Sequence, residues 1–201
     1  FGVDIADYSV QRAKILLTLL ALRNNEEEKE IKFNLKSGDS LSSDWVKIFN
    51  TQFDVVIGNP PYVKFQDLDN DLRKKLNTDW KTLNTGNFNL YFAFFELGIK
   101  IMKKDGVLAY ITPNNYFTSL AAVPLREYLE SNKLIDKILD FNHLKLFEAQ
   151  TYTCITFLKW NKRDYFDYER VDHYETLKNL ESLKFSKMLF SDLNNKKWRL
   201  L

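Results

Sequence analysis

The sequence predicts an α/β fold: a mostly parallel sheet with helices on both faces and an antiparallel last strand. Three observations predict it. Short β-branched runs alternate with helical stretches over residues 1–160, the pattern of strand–helix–strand units. The apolar run Phe53-Asp54-Val55-Val56-Ile57-Gly58 stops abruptly at Asn59-Pro60-Pro61-Tyr62, as a buried strand does at its tip. The last two strand-like runs are joined by a loop of about ten residues, too short for a parallel crossover, so that pair is expected to be antiparallel.

Phe1-Gly2-Val3-Asp4-Ile5 reads as a strand ending in an acid. Asp7 suits a helix cap, and Val10, Ala13, Leu17 and Leu20 share one face of a helix running to about Arg23. Asn24 to Glu30 is a polar link, and Ile31 to Lys36 reads as a second strand ending at Ser37-Gly38-Asp39-Ser40. A short helix around Trp45 to Phe49 precedes the Phe53 strand. Residues 63–86 carry five basic and four acidic side chains without clear periodicity, and read as a long lid or substrate-contacting loop. Asn87 to Lys103 is apolar nearly all round, which predicts a deeply packed helix. Asp105-Gly106 reads as a turn into the strand Val107 to Thr112, closed by Pro113. Pro124 fits the first turn of a helix to about Ser131. Ile135 to Phe141 and Tyr152 to Trp160 are the last two strands, flanking the loop Asn142 to Thr151. Residues 161–201 show little strand character and read as a linker with one helix, about Tyr174 to Phe185, leading into a following domain.

Bulk properties narrow the function. The 201 residues are 45% hydrophobic and 15% aromatic, enough for one sizeable core, and the formal charge of +2 is too balanced to argue nucleic-acid binding from electrostatics alone. One cysteine, Cys154, excludes an internal disulfide. Two histidines and one cysteine argue against a structural zinc site, so no metal is expected. Without a long apolar stretch or a signal-peptide pattern, the chain is expected to be cytoplasmic and to have no membrane partner. It begins with Phe1, in mid-strand, and is expected to be a piece of a longer protein.

The chemistry concentrates at Asn59 to Tyr62. Two prolines fix φ and remove two N–H donors, leaving carbonyls free of any strand ladder. An Asn amide, a rigid carbonyl and an aromatic ring then share the C-terminal tip of a strand, where open α/β sheets bind ligands. Such a cluster suits a planar ring bearing an NH₂ group. By itself the tetrapeptide is also a common turn. Taken singly, Asp4 reads as a turn or capping acid and Phe94 as core.

In order and at compatible spacing, Gly2-Val3-Asp4-Ile5, Gly38-Asp39, Asn59-Pro60-Pro61-Tyr62, Asn89-Leu90-Tyr91-Phe92-Ala93-Phe94, Gly106 to Pro113 and Phe147 resemble the TaqI-like (gamma-type) adenine-N6 DNA methyltransferases. These include the methylase parts of type IIG restriction–modification enzymes. The resemblance covers about residues 1–160 and implies a Rossmann-like methyltransferase sheet with S-adenosylmethionine as cofactor. It also implies double-stranded DNA as partner, together with a fused or associated restriction nuclease. Asp4 would receive the cofactor's ribose hydroxyls and Ile5 would lie on its adenine. Asp39 would accept from the adenine amino group, with Asn59, Pro61 and Phe94 completing the cofactor site. Asn59, the Pro60 carbonyl and Tyr62 would act on the target amine, while Tyr62 and Phe147 would pack on a flipped-out base.

One departure is expected to matter. The glycine-rich cofactor loop of that family, and the central first strand before it, would lie ahead of Phe1, so this piece alone is expected to bind cofactor weakly and to be inactive. Alternative readings are a protein-glutamine or RNA guanine-N2 methyltransferase, which share a similar turn, or a non-catalytic methylase remnant.

Overall fold

The structure is a computed structural model that describes residues 1–25, 32–84, 87–147, 152–194 and 196–200. Phe1–Gln52 and Phe53–Leu201 form separate units.

In the first unit, β1 (Gly2–Asp4) pairs in parallel with β2 (Leu35–Ser37), Asp4 opposite Ser37, and α1 (Asp7–Arg23) connects them. Ala6, not Asp7, is the N-cap residue, and Asp7 lies in the first turn, where its charge suits the helix dipole. Of the expected inward face only Val10 is buried, whereas Leu17 and Leu20 are 38% and 52% exposed. The reason is geometric: a helix of 17 residues is about 25 Å long, and two three-residue strands cannot cover it. α2 (Trp45–Phe49) starts at Asp44, whose carboxylate accepts the Lys47 N–H, and stops at Asn50 in a left-handed conformation. The second strand begins at Leu35 rather than at Ile31, which lies outside the described residues together with 26–30.

The second unit contains β3 (Phe53–Gly58), α3 (Asn70–Asp79), α4 (Tyr91–Ile101), β4 (Met102–Pro113), α5 (Val123–Ser131), β5 (Ile135–Asp140), β6 (Thr153–Leu158), β7 (Tyr165–Arg170), α6 (Tyr174–Lys178) and β8 (Ser186–Leu189). The strands form one six-stranded sheet in the order β3-β4-β6-β5-β7-β8. β3, β4, β5 and β7 run one way, and β6 and β8 run the other. The expected antiparallel pair is β5–β6, with β6 inserted between β4 and β5.

Three segments differ from expectation. Residues 63–86 are not an open loop: Asp69 caps α3 by accepting the Leu72 N–H at 2.8 Å, and Leu76, Trp80 and Leu83 are buried. The buried Glu96 of α4 fastens this segment, accepting from Thr82 N (3.1 Å) and Thr82 Oγ1 (3.3 Å) and pairing with Lys100 at 2.8 Å. The long helix also ends sooner, at Ile101, and Met102 to Asp105 already belong to β4. Asp105-Gly106 is therefore an irregularity within a strand, where the register moves from Phe53↔Met102 to Val55↔Val107. Only glycine fits there, because a Cβ on Gly106 would stand 2.9 Å from the carbonyl oxygens of Phe53 and Asp54. Gly98 serves similarly under α4, where a Cβ would meet Leu108 at 2.2 Å.

The third correction concerns residues 161–201. Instead of a linker leaving the sheet at residue 160, they add two strands: β7 pairs in parallel with β5, and β8 pairs antiparallel with β7. The expected helix Tyr174 to Phe185 is confined to Tyr174–Lys178. The chain then returns to the sheet. Trp198 is 1% exposed, its backbone N–H donates to Phe117 O at 2.8 Å, and its ring meets Tyr116 edge-on at 6.0 Å. Buried Arg126 donates to the carbonyls of Tyr116 (2.5 Å), Ser119 (2.8 Å) and Lys196 (2.6 Å).

Candidate active site

The C-terminal ends of β3, β4, β5 and β7 lie along one edge of the sheet. At the first of these ends, Asn59 is exposed, Pro60 buried, Pro61 exposed and Tyr62 partly buried. The Tyr62 hydroxyl donates to Asn59 Oδ1 at 2.6 Å and to Ile111 O, on β4, at 3.2 Å. Its ring meets that of Tyr91 edge-on, centroids 6.1 Å apart. Burial, with a smaller contribution from the Cys154 thiol, pushes the Tyr62 phenol up to about 12, so the hydroxyl is a donor at neutral pH. Asn59 Oδ1 thus faces outward with its direction set by one donor, and a carbonyl oxygen has a second lone pair for another.

A second layer supports this tip, and sequence reasoning did not assign it. The Tyr91 hydroxyl donates to Asn115 Oδ1 at 2.7 Å and to Pro113 O at 3.3 Å. Asn114 Nδ2 donates to Asp140 Oδ1 at 2.9 Å, and that carboxylate also accepts Asn142 N–H (3.0 Å) and the Tyr168 hydroxyl (3.1 Å). The available signal was Pro113-Asn114-Asn115, a strand end with the same proline-and-amide chemistry as Asn59-Pro60.

The remaining expected residues fall in two places. Within the first unit, Asp4 and Asp39 follow or end adjacent parallel strands, joined by Gly38 N–H to Asp4 O at 2.9 Å, and both are exposed. Asp4 Oδ1 accepts Ala6 N–H at 2.8 Å; Asp39 accepts Leu41 N–H at 3.0 Å and Ser42 Oγ–H at 2.5 Å. Ile5 is 78% exposed beside them. Two carboxylates and an apolar side chain form a donor-accepting set that fits a nucleoside's hydroxyls, amino group and ring. In the second unit, Phe94 is the one aromatic residue of α4 that is not buried. Phe147, in the loop after β5, is 41% exposed. Among the described residues there is no group of side chains suited to a metal ion and no helix long and apolar enough to cross a membrane.

The fold is shared with a solved structure described as a putative class I S-adenosylmethionine-dependent methyltransferase from Listeria monocytogenes, at 22% identity and TM-score 0.60, covering 86% of this chain and 49% of that one. Solved structures with it include the methyltransferase subunit of a type I restriction-modification system from Streptococcus thermophilus, at 21% identity and TM-score 0.65, covering 85% of this chain and 36% of that one. Another is the DrdV–DNA complex, at 14% identity and TM-score 0.72, covering 98% and 24%. The Eco57I restriction-modification methylase family matches residues 1–147, and the chain belongs to that family. It is 30% identical over 201 residues to the type II restriction enzyme and methyltransferase RM.Eco57I of Escherichia coli, covering 87% of this chain and 20% of the relative. It is also 30% identical over 138 residues to the type II methyltransferase M.HincII of Haemophilus influenzae, covering 66% and 28%. The chain therefore spans less than a third of either relative.

Proposed function

We propose that this chain is part of a restriction–modification enzyme that transfers a methyl group from S-adenosylmethionine to adenine N6 of a base extruded from double-stranded DNA. The observation that carries the reading is the exposed Asn59 amide oxygen, fixed by the Tyr62 hydroxyl at 2.6 Å at the tip of β3. The exocyclic amine of adenine is a weak nucleophile because its lone pair is delocalised into the ring. Asn59 Oδ1 and the Pro60 carbonyl accept its two hydrogens, draw the nitrogen toward tetrahedral geometry and localise that pair. Tyr62 stacks on the base, offsetting part of the few kcal/mol lost on unstacking by about 1–3 kcal/mol. Phe147 packs on the same base.

S-adenosylmethionine, when bound, would supply an electrophilic methyl group, its methyl–sulfur bond breaking to leave S-adenosylhomocysteine as the N6–methyl bond forms and one N6 proton passing to solvent. In the first unit Asp4 would hold the ribose hydroxyls, and Ile5 and Asp39 the adenine; in the second unit the family resemblance assigns Asn59, Pro61 and Phe94 to the cofactor. Positioning and preorganised acceptors then lower the barrier without a covalent enzyme intermediate. Family membership supports the reaction class, and the relative named as both restriction enzyme and methyltransferase supports a linked nuclease.

The test is transfer of labelled methyl by the whole protein to bulk unmethylated duplex DNA, release factor and ribosomal RNA, followed by hydrolysis of the product. N6-methyladenine in DNA alone is expected. Label in the protein or RNA acceptor, or in another DNA base, overturns the reading.

A further inference from the structure

Phe147 lies in the loop after β5, and the segment after β7 bonds to residues Asn142 and Lys145 of that loop. Asn142 opens this loop in a left-handed conformation, φ 45°. Its N–H donates to Asp140 Oδ1 at 3.0 Å and its side-chain amide donates to Asp172 Oδ1 at 2.7 Å. The Tyr174 hydroxyl donates to Lys145 O at 2.8 Å, two residues before Phe147. Val171 N–H donates to Asp140 O at 2.8 Å, which fixes the start of the bracing segment to the end of β5. Apolar contacts add to these bonds. Leu144 and Val171 share a buried cluster with Leu139 and Phe141, and Leu146, Leu177 and Phe185 pack against it. The Asn142 hydrogen bond, then the nearby Arg170 charge, hold the Asp172 carboxylate below its usual range, so it remains an acceptor at neutral pH.

Resting on the reading of Phe147 as a base-contacting residue, we propose that Asp172 and Tyr174 are positioning residues: they hold residues 142–147 so that Phe147 meets the extruded base. The segment after β7 thereby becomes a working part of the target-base site. Nothing in this requires Asp172 or Tyr174 to touch DNA.

The test uses the whole protein with bulk unmethylated duplex DNA as acceptor. Tyr174→Phe removes one hydroxyl and keeps the ring. It is expected to raise KM for DNA about 2–10-fold, the range of one lost hydrogen bond, while kcat and KM for S-adenosylmethionine stay within about twofold. Asp172→Ala is expected to act in the same direction, and Asp172→Asn, which retains an acceptor oxygen, to restore the parent value. Amide exchange in residues 142–147 should quicken in the first two variants and not in the third. If Phe147→Ala raises KM for DNA while Tyr174→Phe and Asp172→Ala leave it unchanged, the brace is refuted and the Phe147 reading stands. If Phe147→Ala itself leaves KM unchanged, both fall.

Discussion

The Tyr62 hydroxyl and Asn59 Oδ1 are 2.6 Å apart, so the ring assigned to stacking also aims the oxygen assigned to the reacting amine. The two functions of the motif are thereby coupled through one hydrogen bond. Tyr62→Phe separates them by keeping the ring and releasing the amide. It is expected to lower kcat about 2–10-fold with little change in KM for DNA. Tyr62→Ala should also weaken binding of the extruded base by about 1–3 kcal/mol. Single-turnover kinetics with both variants check this; a Phe variant with parental kcat would show that the amide needs no such aim.

Asn59→Ala removes the acceptor itself. Turnover is expected to fall at least about 100-fold while DNA affinity stays nearly constant, as for an interaction used mainly in the transition state. Methyl-transfer rates beside filter binding on the same DNA make the comparison. Parallel losses in both would mark Asn59 as structural.

Asp4→Ala leaves β1 intact and removes the carboxylate proposed for the ribose hydroxyls. A charge-assisted hydrogen bond of about 1.5–3 kcal/mol corresponds to a roughly 10–150-fold weaker cofactor complex. Calorimetric titration of the whole protein with S-adenosylmethionine measures it, and an unchanged Kd would remove Asp4 from the site.

Alkaline stability follows from buried protonated groups. Burial pushes the Cys154 thiol up to about 12 and raises the Tyr110 and Tyr168 phenols as well. The unfolded chain ionises first, its thiol near 9 and its phenols near 10. Stabilisation from these raised groups is complete below the unfolded values and is lost as pH climbs through the folded ones. Tm should therefore decline from about pH 9 upward. Cys154→Ala should flatten the first part of that decline, between about pH 9 and 10. Thermal melts of the two proteins over this range decide it.

Glu96 is 1% exposed and serves Thr82 twice as well as Lys100. Glu96→Ala leaves the Thr82 N–H without its acceptor while the Thr82 hydroxyl keeps the Phe92 carbonyl at 3.1 Å, so a loss of about 1–3 kcal/mol is expected from urea unfolding, the half-exposed Lys100 adding little. A loss under about 1 kcal/mol would mean that water replaces the carboxylate.

Much of this was legible in the chain. The two prolines after Gly58 end a strand by removing its donors, and the tip they mark is where the structure places an exposed Asn59 and a partly buried Tyr62. What escaped was masked by charge or by tertiary contact. In β7, Phe166 and Tyr168 face inward while Asp167 and Glu169 alternate with them, a true period of two hidden among acids. In α3, the Asp69 cap and the Leu72 and Leu76 spacing were diluted by lysines and aspartates. Gly106 reads as a turn until the carbonyls of Phe53 and Asp54 are seen against it. The Asp140 hub could not be read, because Asn114 and Tyr168 meet it only through strand order, and the local Asn142 N–H alone looks like an ordinary turn.

The seating of Trp198 has a practical corollary for anyone trimming this protein. A cut at residue 160 would strip β5 of its outer neighbour and present a raw ladder to any other unfolded chain. It would also uncork the hollow beside Tyr116 and Phe117 and leave Arg126 without its Lys196 carbonyl. Insolubility after such a cut would therefore report a missing stopper, and would say nothing about the chemistry proposed for the Asn59 tip.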